Sequence, residues 1–219
     1  MGNSLLVLGS SGTGKSTSIR NLDPKSTFVI NVLDKPLPFR GFRSKYKLAT
    51  KENPMGYYFA TDNYIQILKV IEKINDDRPD IKTLIVDDIQ YILLHAYMRR
   101  SHEKGFDKYS QLASQYWEVM MALTKCRDDL ITIALSHTEY DDKGKSSLKT
   151  IGKVLSSKMS IDGMFTVILH TIMQDDMYKF QTQGDEQTTA KSPCGMFEER
   201  FIDNDLTYVI QKIKEYNDE

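Results

Sequence analysis

An apolar run, Ser4-Leu5-Leu6-Val7-Leu8, leads without a gap into Gly9-Ser10-Ser11-Gly12-Thr13-Gly14-Lys15-Ser16, and a helical stretch follows. The eight residues fit the phosphate-loop pattern G-x-x-x-x-G-K-[ST] at every fixed position. Such a loop needs a buried strand to deliver it and a helix start to face the anion, so the fold must supply both. The glycines let backbone N–H groups turn inward, Lys15 reaches the β- and γ-phosphates, and the Ser16 hydroxyl is a Mg²⁺ ligand. The candidate nucleotide-binding residues are Gly9, Ser10, Ser11, Gly12, Thr13, Gly14, Lys15, Ser16 and Thr17. A chance glycine-rich turn does not explain strand, loop and helix in that order.

A second apolar run, Thr83-Leu84-Ile85-Val86, ends in Asp87-Asp88. A carboxylate at the end of a core strand is the expected magnesium partner of a phosphate loop, and Asp87 is the better candidate. Asp88 fits two roles equally: polarising the attacking water, or capping the helix that follows. Ile131-Thr132-Ile133-Ala134-Leu135 is another core strand, with Ser136-His137 at its end. Ligands of open α/β sheets bind at that edge, which makes His137 a candidate γ-phosphate contact; a histidine closing a strand end is the plainer reading. His95, His102 and His170 have no partner spacing and read as surface or packing residues.

Strands are expected near 4–9, 27–32, 57–61, 82–87 and 130–136, with helical stretches near 15–22, 62–76, 88–100 and 109–127. This alternation predicts an α/β fold with a mostly parallel, doubly wound sheet. Residues 165–170 and 177–181 read as a C-terminal antiparallel hairpin, followed by a helix near 205–216. With 219 residues and no linker or repeat, the expectation is a single domain over 1–219. The two cysteines, Cys126 and Cys194, have no metal-ligand spacing, and no apolar run is long enough for a signal or a membrane span. A cytoplasmic protein without a membrane role is the expectation. The net charge of −1 confines any affinity for nucleic acid to local patches.

The order of these pieces resembles the RecA-like P-loop ATPase core, and in particular the short bacteriophage ATPases related to RecA that assist single-strand annealing and recombination. Gly9–Ser16, Leu84–Asp88, Leu135-Ser136-His137, Ile151-Gly152-Lys153 and 190–197 carry the resemblance. It implies ATP and Mg²⁺ as cofactors, a homo-oligomeric ring or filament, and single-stranded DNA as partner in the host bacterial cytoplasm. A phage single-strand binding protein is a further implied partner. Two DNA-binding loops are implied: 98–109, with Arg99, Arg100, Lys104 and Lys108, and 138–149, with Lys143, Lys145 and Lys149. A solvated charged turn is the competing reading of each. Lys191 stands where the resemblance places a lysine acting on the ATP of the adjoining subunit, with Arg200 as a weaker alternative. The chain departs from the pattern after the second strand, where a water-activating glutamate is expected. Asn31-Val32-Leu33-Asp34 offers none; Asp34 and Asp88 are the candidate substitutes unless a partner supplies the glutamate, and hydrolysis is expected to be slow and DNA-stimulated.

Between Lys35 and Lys47 five basic residues alternate with Phe39, Phe42 and Tyr46. Three readings stay open: stacking on single-stranded nucleic acid, packing beneath an ordered loop, or gripping a neighbouring subunit. For the whole chain, a motor or loader ATPase has the same core as a recombination ATPase. A small-molecule kinase fits less well, because no lid-like cluster of arginines follows the magnesium strand.

Overall fold

The computed structural model describes residues 3–142, 144–150 and 161–218. Lys143 and the segment 151–153 therefore lie outside the described residues. Among the described residues, six parallel strands form the body of one sheet: β1 (Ser4–Gly9), β2 (Thr27–Asn31), β3 (Tyr58–Ala60), β4 (Thr83–Asp87), β5 (Ile131–Tyr140) and β7 (Val167–Gln174). Two antiparallel strands, β8 (Met177–Gln181) and β9 (Phe201–Asp203), extend it beyond β7, giving the order β3-β2-β4-β5-β1-β7-β8-β9. β6 (Ser146–Leu148) pairs with the distal part of β5.

Strand alternation places the two cores. Leu6, Leu8, Phe28, Ile30, Leu84 and Val86 point to one face, where α2 (Tyr64–Asp77) and α4 (Asp107–Thr124) cover them. Leu5, Val7, Val29, Ile85, Ile133 and Leu135 point to the other, beneath α5 (Leu206–Asp218). Both faces being covered explains why these strands are apolar runs with few polar breaks. α2 starts where Asn63 accepts hydrogen bonds from the Ile65 and Gln66 N–H groups, and it buries Ile67, Ile71 and Ile74. Behind it, the Arg127 guanidinium donates to the carbonyls of Ile74, Asn75 and Arg78, tying the helix end to the connection before β4.

Several expectations shift. The stretch after the phosphate loop is a 3₁₀ helix over Ser16–Asn21. The 138–149 segment is largely a β-ribbon rather than a loop, because β5 runs on to Tyr140 and pairs Thr138 with Leu148 and Tyr140 with Ser146. The hairpin strand begins at Val167 and reaches Gln174, turning through Asp175 and Asp176, both at positive φ (51° and 58°). Positive φ at both central residues is the geometry of a two-residue hairpin turn. Phe42 and Tyr46 are buried; the Phe42 ring meets Tyr46 at a centroid distance of 6.0 Å and Tyr58 edge-on at 5.1 Å. Those two rings pack under the 35–47 segment and are not free to stack on bases. No helix among the described residues is long and apolar enough to cross a membrane.

His170, on β7, is buried and not a surface residue. Its Nε2 meets the Thr189 hydroxyl at 3.1 Å and its Nδ1 meets Ser146 Oγ at 3.4 Å. Burial pushes its pKa from 6.5 down to about 4, with Asp185 opposing. A depressed folded pKa gives stability that is complete above 6.5 and lost as pH falls towards 4, worth up to about 3 kcal/mol. Asp87, whose pKa is raised, pulls the other way in this window. Chemical denaturation at pH 7 and pH 4.5 should therefore show a smaller acid loss for His170→Gln than for the native chain. Equal losses would remove His170 as the cause.

Candidate functional site

The sheet order brings the C-terminal ends of β1, β4 and β5 together. Gly9 lies opposite His137, and Asn31 opposite Asp87, in the strand registers. A cleft of about 300 Å³ opens there, lined by Ser11, Gly12, Gly14, Lys15, Ser16 and Thr17 on one side and by Lys35, Pro36, Pro38, Asp88, His137 and Tyr178 around the rest.

The loop is held from below. Gly12 and Gly14 sit at φ 80° and 97°, which side chains rarely adopt. Thr13 Oγ1 lies 2.5 Å from Thr171 Oγ1 on β7, and Ser10 Oγ lies 3.0 Å from Tyr140 Oη on β5. Tyr178 on β8 packs so closely that a Cβ at Gly14 would stand 2.7 Å from its ring. Thr171, Tyr178 and Tyr140 were not legible as site residues, since each comes from a strand whose neighbours only the topology reveals.

Lys15 is buried, and its ammonium donates to the Gly9 and Ser10 carbonyls, each at 2.8 Å. Burial lowers its pKa to about 8, against the pull of Asp88 and Asp87. The Ser16 hydroxyl donates to Asp87 Oδ1 at 2.9 Å. Asp87 is fully buried, and its Oδ2 has no hydrogen-bond partner among the described residues. Burial, with Asp88 alongside, raises its pKa to about 7. An orphaned carboxylate oxygen beside a hydroxyl fits a divalent cation, which relieves the buried charge. No group of three or more His, Cys, Asp or Glu able to hold a metal occurs among the described residues. Mg²⁺ needs only one or two protein carboxylates, because it fills its remaining positions with phosphate oxygens and water.

Asp88 does not cap a helix. The residue before α3 (Tyr91–Arg99) is Gln90, and the cap has no side-chain hydrogen bond. Asp88 instead sits at φ 60° with its carboxylate turned into the cleft, paired with Lys35 and lying 3.4 Å from His137 Nε2. Burial alone would raise its pKa, but His137 and Lys35 outweigh it and hold the group at about 2. Gln90 organises this corner: its Oε1 accepts from Ser136 Oγ at 3.1 Å and from the His137 N–H at 3.2 Å. Two adjacent carboxylates thus have their acidities driven apart, the usual mark of a division of labour.

The remaining candidates are scattered. Asp34 lies outside the cleft lining and accepts a hydrogen bond from the Tyr58 hydroxyl at 3.1 Å. Lys191 forms a backbone bridge to Ile168 on β7 and does not line this cleft; Arg200 is paired with Asp185. Arg99 pairs with Asp62, and Arg100 with Glu103. Lys108 is buried in the first turn of α4, donating to the Glu103 carbonyl at 2.7 Å between the Tyr97 and Tyr109 rings. Its ammonium is engaged within the fold, so it drops out as a phosphate contact. Lys104, Lys145 and Lys149 are exposed.

A strand-borne glycine loop, a lysine inside it, and a serine–aspartate pair across the sheet edge define a P-loop nucleoside triphosphatase. Residues 1–194 match the family described as the AAA domain, and the chain belongs to that family. It is thus an AAA-type ATPase domain, made to bind and hydrolyse ATP. No curated protein matches the chain.

Proposed function

We propose that this ATPase is a phage recombination protein of RecA-like type, which binds single-stranded DNA as an oligomer and uses ATP to control that binding. Lys15 and the loop N–H groups hold the phosphates, Ser16 and Asp87 hold Mg²⁺, and Asp88 orients the attacking water. Mg²⁺ held by Ser16 and Asp87 would supply positive charge against the charge that develops on the phosphates. His137 stands beside Asp88 and passes a change at the γ-phosphate into the β5–β6 ribbon.

The observation that carries the reading is the continuity of that ribbon with the cleft. The Lys149 N–H donates to the His137 carbonyl at 2.9 Å, and Tyr140 touches Ser10 of the phosphate loop. The same ribbon exposes Lys145, Lys149 and the Tyr140 ring. Cations beside an exposed aromatic suit a single strand, phosphates on one and a base on the other. The structure offers less to the 98–109 segment, where Arg99, Arg100 and Lys108 are already paired within the chain.

Fluorescence anisotropy of a labelled oligonucleotide tests the reading. Binding should be tighter with a non-hydrolysable ATP analogue than with ADP, and should weaken about tenfold or more in Lys145→Glu/Lys149→Glu at low salt. Binding indifferent to nucleotide and to both substitutions would rule out the ribbon as the DNA surface.

A further inference from the structure

Lys35 belongs to no motif and was visible in the sequence only as the first cation of a basic segment. The fold gives it a particular post. Its backbone is fixed from both sides: the Asn31 side-chain amide donates to the Lys35 carbonyl at 2.7 Å, and Leu37, two residues on, is buried in the core. Pro36 and Pro38 restrict the chain between and beyond these anchors. Asp34, just before it, turns at φ 52° and is held by the Tyr58 hydroxyl.

The side chain is treated differently. It is 46% exposed along its length, yet its ammonium reaches the nearly buried Asp88 carboxylate, and both residues line the cleft with the phosphate loop. A rigid backbone carrying a solvated, extensible cation is suited to moving a charge over a few ångströms without moving the chain. Lys15 lies within the phosphate loop, while Lys35 and His137 are the other basic side chains that line the cleft among the described residues. A triphosphate seated on the loop would extend one phosphate further into the cleft that Asp88 lines than a diphosphate would, and that phosphate carries more negative charge than the carboxylate.

We infer that Lys35 is a γ-phosphate-sensing residue acting within its own chain: it rests on Asp88 and transfers its ammonium to the terminal phosphate when ATP, but not ADP, fills the cleft. The inference rests on the cleft being the nucleotide site. One movement then does two things. It neutralises charge on the phosphate, and it uncovers the carboxylate that faces the attacking water. A diphosphate ends short of Asp88 and leaves the resting pair intact, so the cleft distinguishes the two nucleotides without a neighbouring subunit.

The test compares affinities for fluorescent ATP and ADP analogues, with Mg²⁺, in the native chain, Lys35→Met and Lys35→Arg. The native chain should prefer the triphosphate. Lys35→Met should lose that preference by about tenfold while its ADP affinity stays within about twofold, which also shows that the site is still folded. Lys35→Arg should keep most of the preference. If Lys35→Met retains the native ratio, or loses ATP and ADP affinity equally, Lys35 is a structural partner of Asp88 and the inference falls. If the native chain binds neither nucleotide, the reading of the cleft itself has failed and the inference goes with it.

Discussion

Lys15→Ala is expected to lose nucleotide binding while remaining folded. The Lys15 ammonium is buried and held by the Gly9 and Ser10 carbonyls, so the cation is poised inside the loop before any phosphate arrives. Without it the loop keeps its N–H groups but loses the one charge at its centre. Hydrolysis should fall by roughly 10³-fold or more, the scale on which removing one preorganised donor to a reacting centre acts. Calorimetric titration with Mg²⁺-ATP reads the binding, and circular dichroism reads the fold. Affinity within threefold of native would mean that the loop is not the phosphate site.

Asp88→Asn should separate binding from chemistry. The substitution preserves size and leaves Lys15, Ser16 and Asp87 in place. It removes the charge that pairs with Lys35 and His137 and that, in the proposed mechanism, orients the water. A decrease in kcat of about 10²–10⁴-fold with little change in KM is the expected result, as for loss of a general base. Because His137 and Lys35 outweigh burial and hold this carboxylate at a pKa of about 2 in the nucleotide-free cleft, it is ionised before ATP binds. The native kcat/KM, which reports the free enzyme, should consequently show no acid limb from Asp88 between pH 5 and 8. If Asp88→Asn keeps a tenth or more of the native rate, Asp88 only positions its neighbours and another group serves the water.

The strands and the phosphate loop were readable because short-range pattern determines them. Leu5 to Leu8 and Leu84 to Val86 are apolar without interruption since both faces of the sheet are covered, and Gly12 and Gly14 are required by their positive φ. The place of Asp87 at the end of β4 was readable for the same reason, since the apolar run stops at that carboxylate. What escaped depends on strand order and register. β5 lies between β1 and β4, so His137, Gln90 and Asp88 meet across 88–137, a separation no local pattern encodes. Lys35 escaped because a cation in a basic run gives no sign of which carboxylate it will meet. Lys108 misled because its charge suggested solvent, whereas its ammonium lies over the Tyr97 and Tyr109 rings and donates to the Glu103 carbonyl. The 138–149 segment misled because glycine and lysine read as loop, although Thr138 to Tyr140 continue a core strand.

Phosphate release from ATP, measured with and without Mg²⁺ and with Lys15→Ala as the blank, tests the assignment of the cleft most directly. A steady release that requires both Mg²⁺ and Lys15 is the predicted result. Release that persists without Mg²⁺, or that is equal in Lys15→Ala, would contradict the assignment of Ser16, Asp87 and the glycine loop as the hydrolytic centre.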